Sequence, residues 1–243
     1  MTCSKQENGE RRTAQDLPPG LRQQGAAGAA TSGISTAGNL LLSIVLRPCV
    51  NPAKYSGLAA VSGLAVLEAL EKQGLASEIA LKWPNDLVAR GRKLGGILVE
   101  AARDNEGKPF AVCGIGVNVN YTPQEVPDGG LAAIGLSDLN ESVPAVDMLL
   151  DEVYHAVIDA VDTWAERLNA MEENAGPLAP VHDEYIAHLN WIGKHVIARS
   201  PAGDELARGI FKTVDGFGRA CIETKDGLRF FHFEEASLRH LSD

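Results

Sequence analysis

Hydrophobic residues change period several times along this chain, and the changes mark out its elements. Leu40 to Leu46 is an unbroken apolar run stopped by Arg47-Pro48, the form of a buried strand. Asn51-Pro52 then offers a helix N-cap with proline at the first helical position. Tyr55, Leu58, Ala59, Val61, Leu64, Leu67 and Leu70 follow at helical spacing until Gly74. Strands are predicted from Ile79 to Lys82, Asp86 to Ala89, Leu94 to Ala101 and Phe110 to Asn120, the last interrupted by Gly114 and Gly116. Pro144 opens a long amphipathic helix whose inward face is Met148, Leu149, Val153, Ala156, Val157, Val161, Trp164 and Leu168. A shorter helix, Val181 to Leu189, presents Tyr185, Ile186 and Leu189.

After Trp191-Ile192-Gly193 the texture changes to short strands: Val196–Ala198, Ala207–Val214, Arg219–Glu223, Leu228–Phe233 and Ala236–Leu238. Turn signals at Pro201-Ala202-Gly203-Asp204, Asp215-Gly216 and Asp226-Gly227 separate them, and the pattern predicts a small antiparallel barrel. Residues 1–38 mix charges, Pro18-Pro19-Gly20 and a Gly25–Ala30 run of glycine and alanine, with no sustained apolar period. The expected division is an irregular, disordered or aberrant segment over 1–38, an α+β domain over 39–192 and a small β domain over 193–243.

Composition narrows the function classes. A net charge of −10 disfavours a general nucleic-acid surface, which rests on clustered Lys and Arg. Cys3, Cys49, Cys113 and Cys221 are far apart, with no spacing for zinc or a disulfide framework, which fits a reducing cytoplasm. No apolar run approaches the ~20 residues that span a bilayer, so no membrane association is expected.

Residues 82–100 carry the chemistry. Lys82-Trp83-Pro84-Asn85-Asp86 is polar and irregular, and further on Lys93 stands just ahead of Gly95-Gly96 and an apolar run. The arrangement sets carboxamide and carboxylate oxygens at one end of a short hairpin and a cation at the other, with backbone open to close approach by a ligand. A plain surface hairpin turning at Gly91 explains the same composition.

The segment resembles the signature of biotin protein ligases: Lys-Trp-Pro-Asn-Asp, a short spacer, then Lys-x-Gly-Gly-Ile-Leu-x-Glu. Gly114-Ile115-Gly116-Val117-Asn118 and Glu235-Ala236-Ser237-Leu238-Arg239 resemble two further segments of that family, and the likeness runs from about Gly38 to Leu241. It implies a class II synthetase-like α+β catalytic domain built on a mixed sheet, then an SH3-like barrel. The implied activity joins biotin to ATP as biotinyl-5′-AMP, then passes biotin to a lysine of a biotin carboxyl carrier protein.

The resemblance implies a role for each matching residue. Lys93 would contact both the biotin carboxylate and the α-phosphate, and is otherwise an exposed hairpin lysine. Asn85 and Asp86 would help hold Mg²⁺ and the adenylate, and are otherwise turn caps. Lys82 would neutralise phosphate or is a strand-end charge, and Trp83 would lie near the nucleotide or pack in the core. Gly95, Gly96, Ile97 and Gly114 would line biotin, and Asn118 would lie near the adenylate; the plain alternative at 114–118 is a bulged strand. Arg239 would reach the nucleotide phosphates.

Two family segments find no match: an opening Ser-Thr-Asn segment, and a Gly/Arg-rich loop that shields the reactive anhydride from water. Gln6–Arg12 carries Glu10 where an arginine belongs, and Gly25–Ala30 reads as an out-of-frame rendering of such a loop. The expectation is an N-terminally incomplete or mis-framed ligase without a DNA-binding domain. Its rivals are an impaired ligase-like binding protein and a lipoate-type acyl ligase. Family members often dimerise through the central sheet, which leaves a homodimer open.

Overall fold

In a computed structural model, the described residues are 38–75, 78–120 and 130–241. Strand β1 (Leu40–Leu46) leads into a 3₁₀ turn (Pro52–Gly57), where the Asn51 side chain accepts from the Ala53 amide at 3.0 Å. Helix α1 (Leu58–Lys72) is buried around most of its circumference, in keeping with its run of Leu, Val and Ala. Strands β2 (Ile79–Lys82), β3 (Asp86–Ala89), β4 (Arg92–Arg103) and β5 (Pro109–Val117) follow, then α2 (Val146–Asn169) and α3 (His182–His188). The chain ends with β6 (His195–Arg199), β7 (Glu205–Val214), β8 (Ala220–Thr224), β9 (Gly227–Phe231) and β10 (Ser237–His240).

The strands form two five-stranded antiparallel sheets, ordered β1-β5-β4-β3-β2 and β10-β6-β7-β8-β9. The α+β class is the one expected, and the parallel component of the first sheet amounts to isolated bridges, Leu81 to Leu189 and Lys93 to Ala133. Helix α1 lies on the first sheet with α2 packed against it, so one sheet face is covered by helices. On the other face Leu41 is 53% and Leu98 57% exposed. The apolar run of β1 is therefore buried on alternate residues only, because this strand edges a sheet with one open face.

The inward stripe of α2 is Leu149, Val153, Val157, Val161, Trp164, Ala165 and Leu168. Met148, expected on it, is 58% exposed: it stands about 100° round the helix from Leu149, off the stripe. Ala156 is half-buried at the stripe's flank, and the helix starts at Val146, two residues after Pro144.

The second sheet is docked firmly on the first unit. Trp83 Nε1 donates to Gly218 O at 2.9 Å. The Leu178 amide donates to Gly216 O at 2.9 Å, and His182 Nε2 lies 2.7 Å from Val214 O. Phe211, in the middle of β7, is fully buried, and its amide and carbonyl bond Lys194 and Gly193. Phe211→Ala should lower the unfolding free energy by ~3–5 kcal/mol in urea titrations, the cost of a large cavity in a packed core.

Candidate active site

The site grows from the register of the first sheet. Lys82 faces Asp86 across β2–β3, Asp86 faces Gly96 across β3–β4, Gly96 faces Gly116 across β4–β5, and Gly116 faces Leu41 across β5–β1. Directly opposed residues of antiparallel strands share a face. The five positions therefore make one row across the whole sheet: a cation, an anion, two glycines and a leucine. A second row beside it holds Leu98, Gly114 and Ser43.

At the charged end one carboxylate serves two ammonium groups. Lys82 Nζ lies 3.0 Å from Asp86 Oδ2, and Lys93 Nζ lies 2.5 Å from Asp86 Oδ1. The two lysines are unlike: the Lys82 side chain is 5% exposed and that of Lys93 is 44% exposed. Burial by itself raises the Asp86 carboxyl, but Lys82 and Lys93 outweigh it and hold the group below the usual carboxylate range. Lys93 is fixed at the backbone, where its amide donates to Ala132 O at 2.7 Å and its carbonyl accepts from the Ile134 amide at 2.9 Å. Its ammonium end stays free to trade Asp86 for another anion.

The two adjacent glycines have different reasons. A Cβ on Gly95 would stand 2.2 Å from Gly116 O, so Gly95 permits the close approach of β4 and β5. Gly95 was expected to border biotin, yet its own constraint is strand packing. A Cβ on Gly96 would meet Asp86 Oδ1 at 3.4 Å and Lys93 Nζ at 3.5 Å, directly on the ion pair. Gly114 and Gly116 have room above them: a Cβ would touch only Leu98 O at 3.7 Å or Leu41 Cδ2 at 3.6 Å.

Other expected residues stand elsewhere. Ile97 is 1% exposed and turns its side chain toward α1, near Gly63, because beyond the register shift opposite Leu87 and Val88 it is the residues flanking Gly96 and Leu98 that face the helix. Its backbone holds Asn85 instead, donating to Asn85 O at 2.9 Å and accepting from Asn85 Nδ2 at 2.6 Å. Trp83 is 2% exposed with its N–H bonded to Gly218, so it packs as a core residue between the two sheets. Trp83 and Asn85 also line a separate cavity of about 430 Å³ with Tyr55, Pro84, Phe217 and Phe233. Asn118 Nδ2 donates to Ile134 O at 3.2 Å and so holds the segment that pins Lys93. Arg239 sits half-buried on β10 beside His240, its guanidinium with no hydrogen bond or ion pair among the described residues.

With Lys82 and Lys93 both on Asp86, a magnesium ion at that carboxylate would meet two like charges. The arrangement seen here therefore offers the ion expected at Asn85 and Asp86 the Asn85 Oδ1 and no free Asp86 oxygen; Asn85 Nδ2 is the atom bonded to Ile97. Leu41, Leu98 and the 132–134 segment were missed in the sequence. The first two could have been found by carrying the period-two face of Gly96 along β4 and across to β1; the third has no local signal. The expected loop remnants, Gln6–Arg12 and Gly25–Ala30, lie outside the described residues.

The fold is an α+β domain whose open sheet face carries a lysine-rich polar end, bare glycines and exposed leucines, with a β domain docked beside it. The pattern described as the biotin/lipoate A/B protein ligase family matches residues 22–120, and that of the biotin protein ligase C-terminal domain matches 191–239. The first match reaches back beyond the Gly38 start of the resemblance. Over 188 residues the chain is 33% identical to a biotin–[acetyl-CoA-carboxylase] ligase of Mycobacterium tuberculosis, covering 76% of this chain but 63% of that protein. A ligase of the same name from Paracoccus denitrificans is 31% identical over 199 residues, covering 80% of this chain and 78% of that one. The chain belongs to the biotin–[acetyl-CoA-carboxylase] ligase family. In fold it is similar to the biotin protein ligase from Aquifex aeolicus, at a TM-score of 0.66 and 24% identity over 84% of this chain and 83% of that one. Among the described residues no helix is long and apolar enough to cross a membrane.

Two outcomes test the site geometry. Gly95→Ala should destabilise the fold markedly, read as a lowered thermal midpoint, whereas Gly114→Ala should leave the midpoint near wild type. Asp86 has a lowered folded-state pKa, so its contribution to stability is complete above the unfolded value near ~4 and is lost as pH falls through the folded value. Asp86→Asn should flatten the fall of stability as pH drops below the unfolded carboxylate value, followed by denaturant titration at each pH.

Proposed function

We propose that this chain activates biotin with ATP and transfers it to a lysine of a biotin carboxyl carrier domain. The observation that carries the reading is the row from the Lys82–Asp86–Lys93 cluster over Gly96 and Gly116 to Leu41. Three strand spacings, about 14 Å, separate Asp86 from Leu41. A bare-backbone floor with an apolar flank and a cationic end suits a small ring system, with polar atoms for backbone groups to bond, on an aliphatic tail ending in a carboxylate. Relatives named for biotin ligation, and a C-terminal domain pattern named for the same family, support biotin over lipoate.

In this reading the substrate carboxylate and the ATP α-phosphate draw Lys93 away from Asp86. One ammonium between two anions removes the repulsion that would keep them apart, and it stabilises charge building on the α-phosphoryl oxygens. A carboxylate oxygen attacks the α-phosphorus and pyrophosphate leaves. The ε-amine of the carrier lysine then attacks the acyl carbon, AMP leaves, and the amine loses a proton. Asp86 keeps Lys82 throughout, so the cluster is not left with an unpaired buried cation. Arg239, its guanidinium without a partner among the described residues, is the donor available to the phosphates from the small domain. The partner class is the carrier domain of a biotin-dependent carboxylase. The free thiols of Cys49, Cys113 and Cys221 support a reducing cytoplasm as the compartment.

Calorimetry with biotin and ATP, followed by a streptavidin blot of a carrier domain, tests the reading. Binding with no transfer would make the chain an impaired relic, and transfer of lipoate alone would overturn the substrate. Lys93→Ala should slow adenylate formation by at least about a hundredfold. It should move the thermal midpoint by only a few degrees, since the side chain is part-exposed. A collapse in stability would count against the assignment.

A further inference from the structure

Lys82 has a second neighbour besides Asp86. Its Nζ stands 5.6 Å from the centre of the Trp191 ring, and that indole stacks on His240 at 5.8 Å with 26° between the planes. Trp191 thus sits between the buried lysine of the motif and the strand that carries Arg239. Its backbone is unusual: φ is +69°, a left-handed conformation that aromatic residues rarely adopt and glycine or asparagine take without difficulty. Bonds on both sides impose it. The Asn190 amide is tied to Leu81 O at 2.7 Å, the Gly193 amide to Phe211 O at 2.7 Å, and the Lys194 amide returns to Trp191 O at 2.9 Å. A bulky ring kept at a strained joint points to work done by the ring.

We infer that Trp191 is a positioning residue for the adenylation step, acting through Lys82. The ring face and Asp86 Oδ2 together hold the Lys82 ammonium at the end of the row. With Lys82 fixed, Asp86 has one oxygen occupied and offers Lys93 only the other, so Lys93 can leave for the substrate anions. When the ring face is lost, Lys82 loosens, the Asp86 charge falls more fully to Lys93, and Lys93 is held back from substrate. Trp191 touches no substrate in this scheme, which rests on the ligase reading above.

The test is a double-mutant cycle read in two ways. The full chain carries Trp191→Leu, Trp191→Phe or Lys82→Met, alone and with Trp191→Leu in the Lys82→Met background. Pyrophosphate release with biotin and ATP gives kcat and KM, and thermal unfolding gives the coupling independently of activity. Trp191→Leu, which keeps bulk without a ring face, should lower kcat/KM about tenfold, mainly in kcat. Trp191→Phe should stay within about twofold, and Trp191→Leu should add nothing to Lys82→Met. Equal losses in the Leu and Phe variants, or losses that multiply in the double variant, would overturn the proposal. If the wild-type chain makes no biotinyl adenylate, the ligase reading fails by itself. The unfolding cycle then decides the Trp191–Lys82 coupling: non-additive midpoint shifts support it and additive ones reject it.

Discussion

A carboxylate shared between two lysines holds this site together. Either lysine alone would be a plain ion pair with Asp86, closed on itself and of little chemical use. With both present the cluster has a net positive charge that the surrounding strands cannot neutralise. The buried member, Lys82, spends its charge on Asp86 and on the face of Trp191. The exposed member, Lys93, is therefore the one whose charge is available. Desolvation makes the arrangement workable: with Asp86 largely buried and Lys82 almost wholly so, their attraction is screened far less than that of a surface pair.

The sheet turns that cluster into a directional site. Register puts Asp86, Gly96, Gly116 and Leu41 in one line, so the polarity changes from charged to bare to apolar across four strands. Helices α1 and α2 cover the opposite face and supply the core, which frees this face from any packing duty. Exposed Leu41 and Leu98 would be a liability on an ordinary surface. Beside open glycines and a cation they are the apolar flank of the surface proposed to take the substrate.

Much of this was legible in the chain. The strand and helix pattern stood out because the periods are clean, and the ends differed by a residue or three where caps and edge pairing decide them. Lys93 and Asp86 could be brought together from the short hairpin between them. What could not be read is which member of an adjacent pair serves which purpose. Gly95 and Gly96 look alike in sequence, but one is needed by the β5 backbone and the other by an ion pair. Trp83 was harder still, since its partner, Gly218, lies in another domain. Met148 failed for a simpler cause: an apolar side chain next to a stripe need not belong to it.

The small domain is the part whose purpose a motif search would overlook. Consecutive residues of the motif are tied to it and to the link that leads into it: Trp83 bonds the Gly218 carbonyl, and Lys82 lies over Trp191. Lys82 is the last residue of β2 and Trp83 the first of the turn after it, so two adjacent residues of the motif are held at its entrance. A domain attached by one contact could tilt with little effect on the cluster. One attached at two adjacent points cannot shift without moving Trp83 or Lys82, and through Lys82 the Asp86 carboxylate. The strain at Trp191 has the same origin, because the chain must leave β2's neighbourhood and enter β6 within a few residues. The charge that would act on substrate is therefore set as much by how the β domain docks as by the strands that carry it.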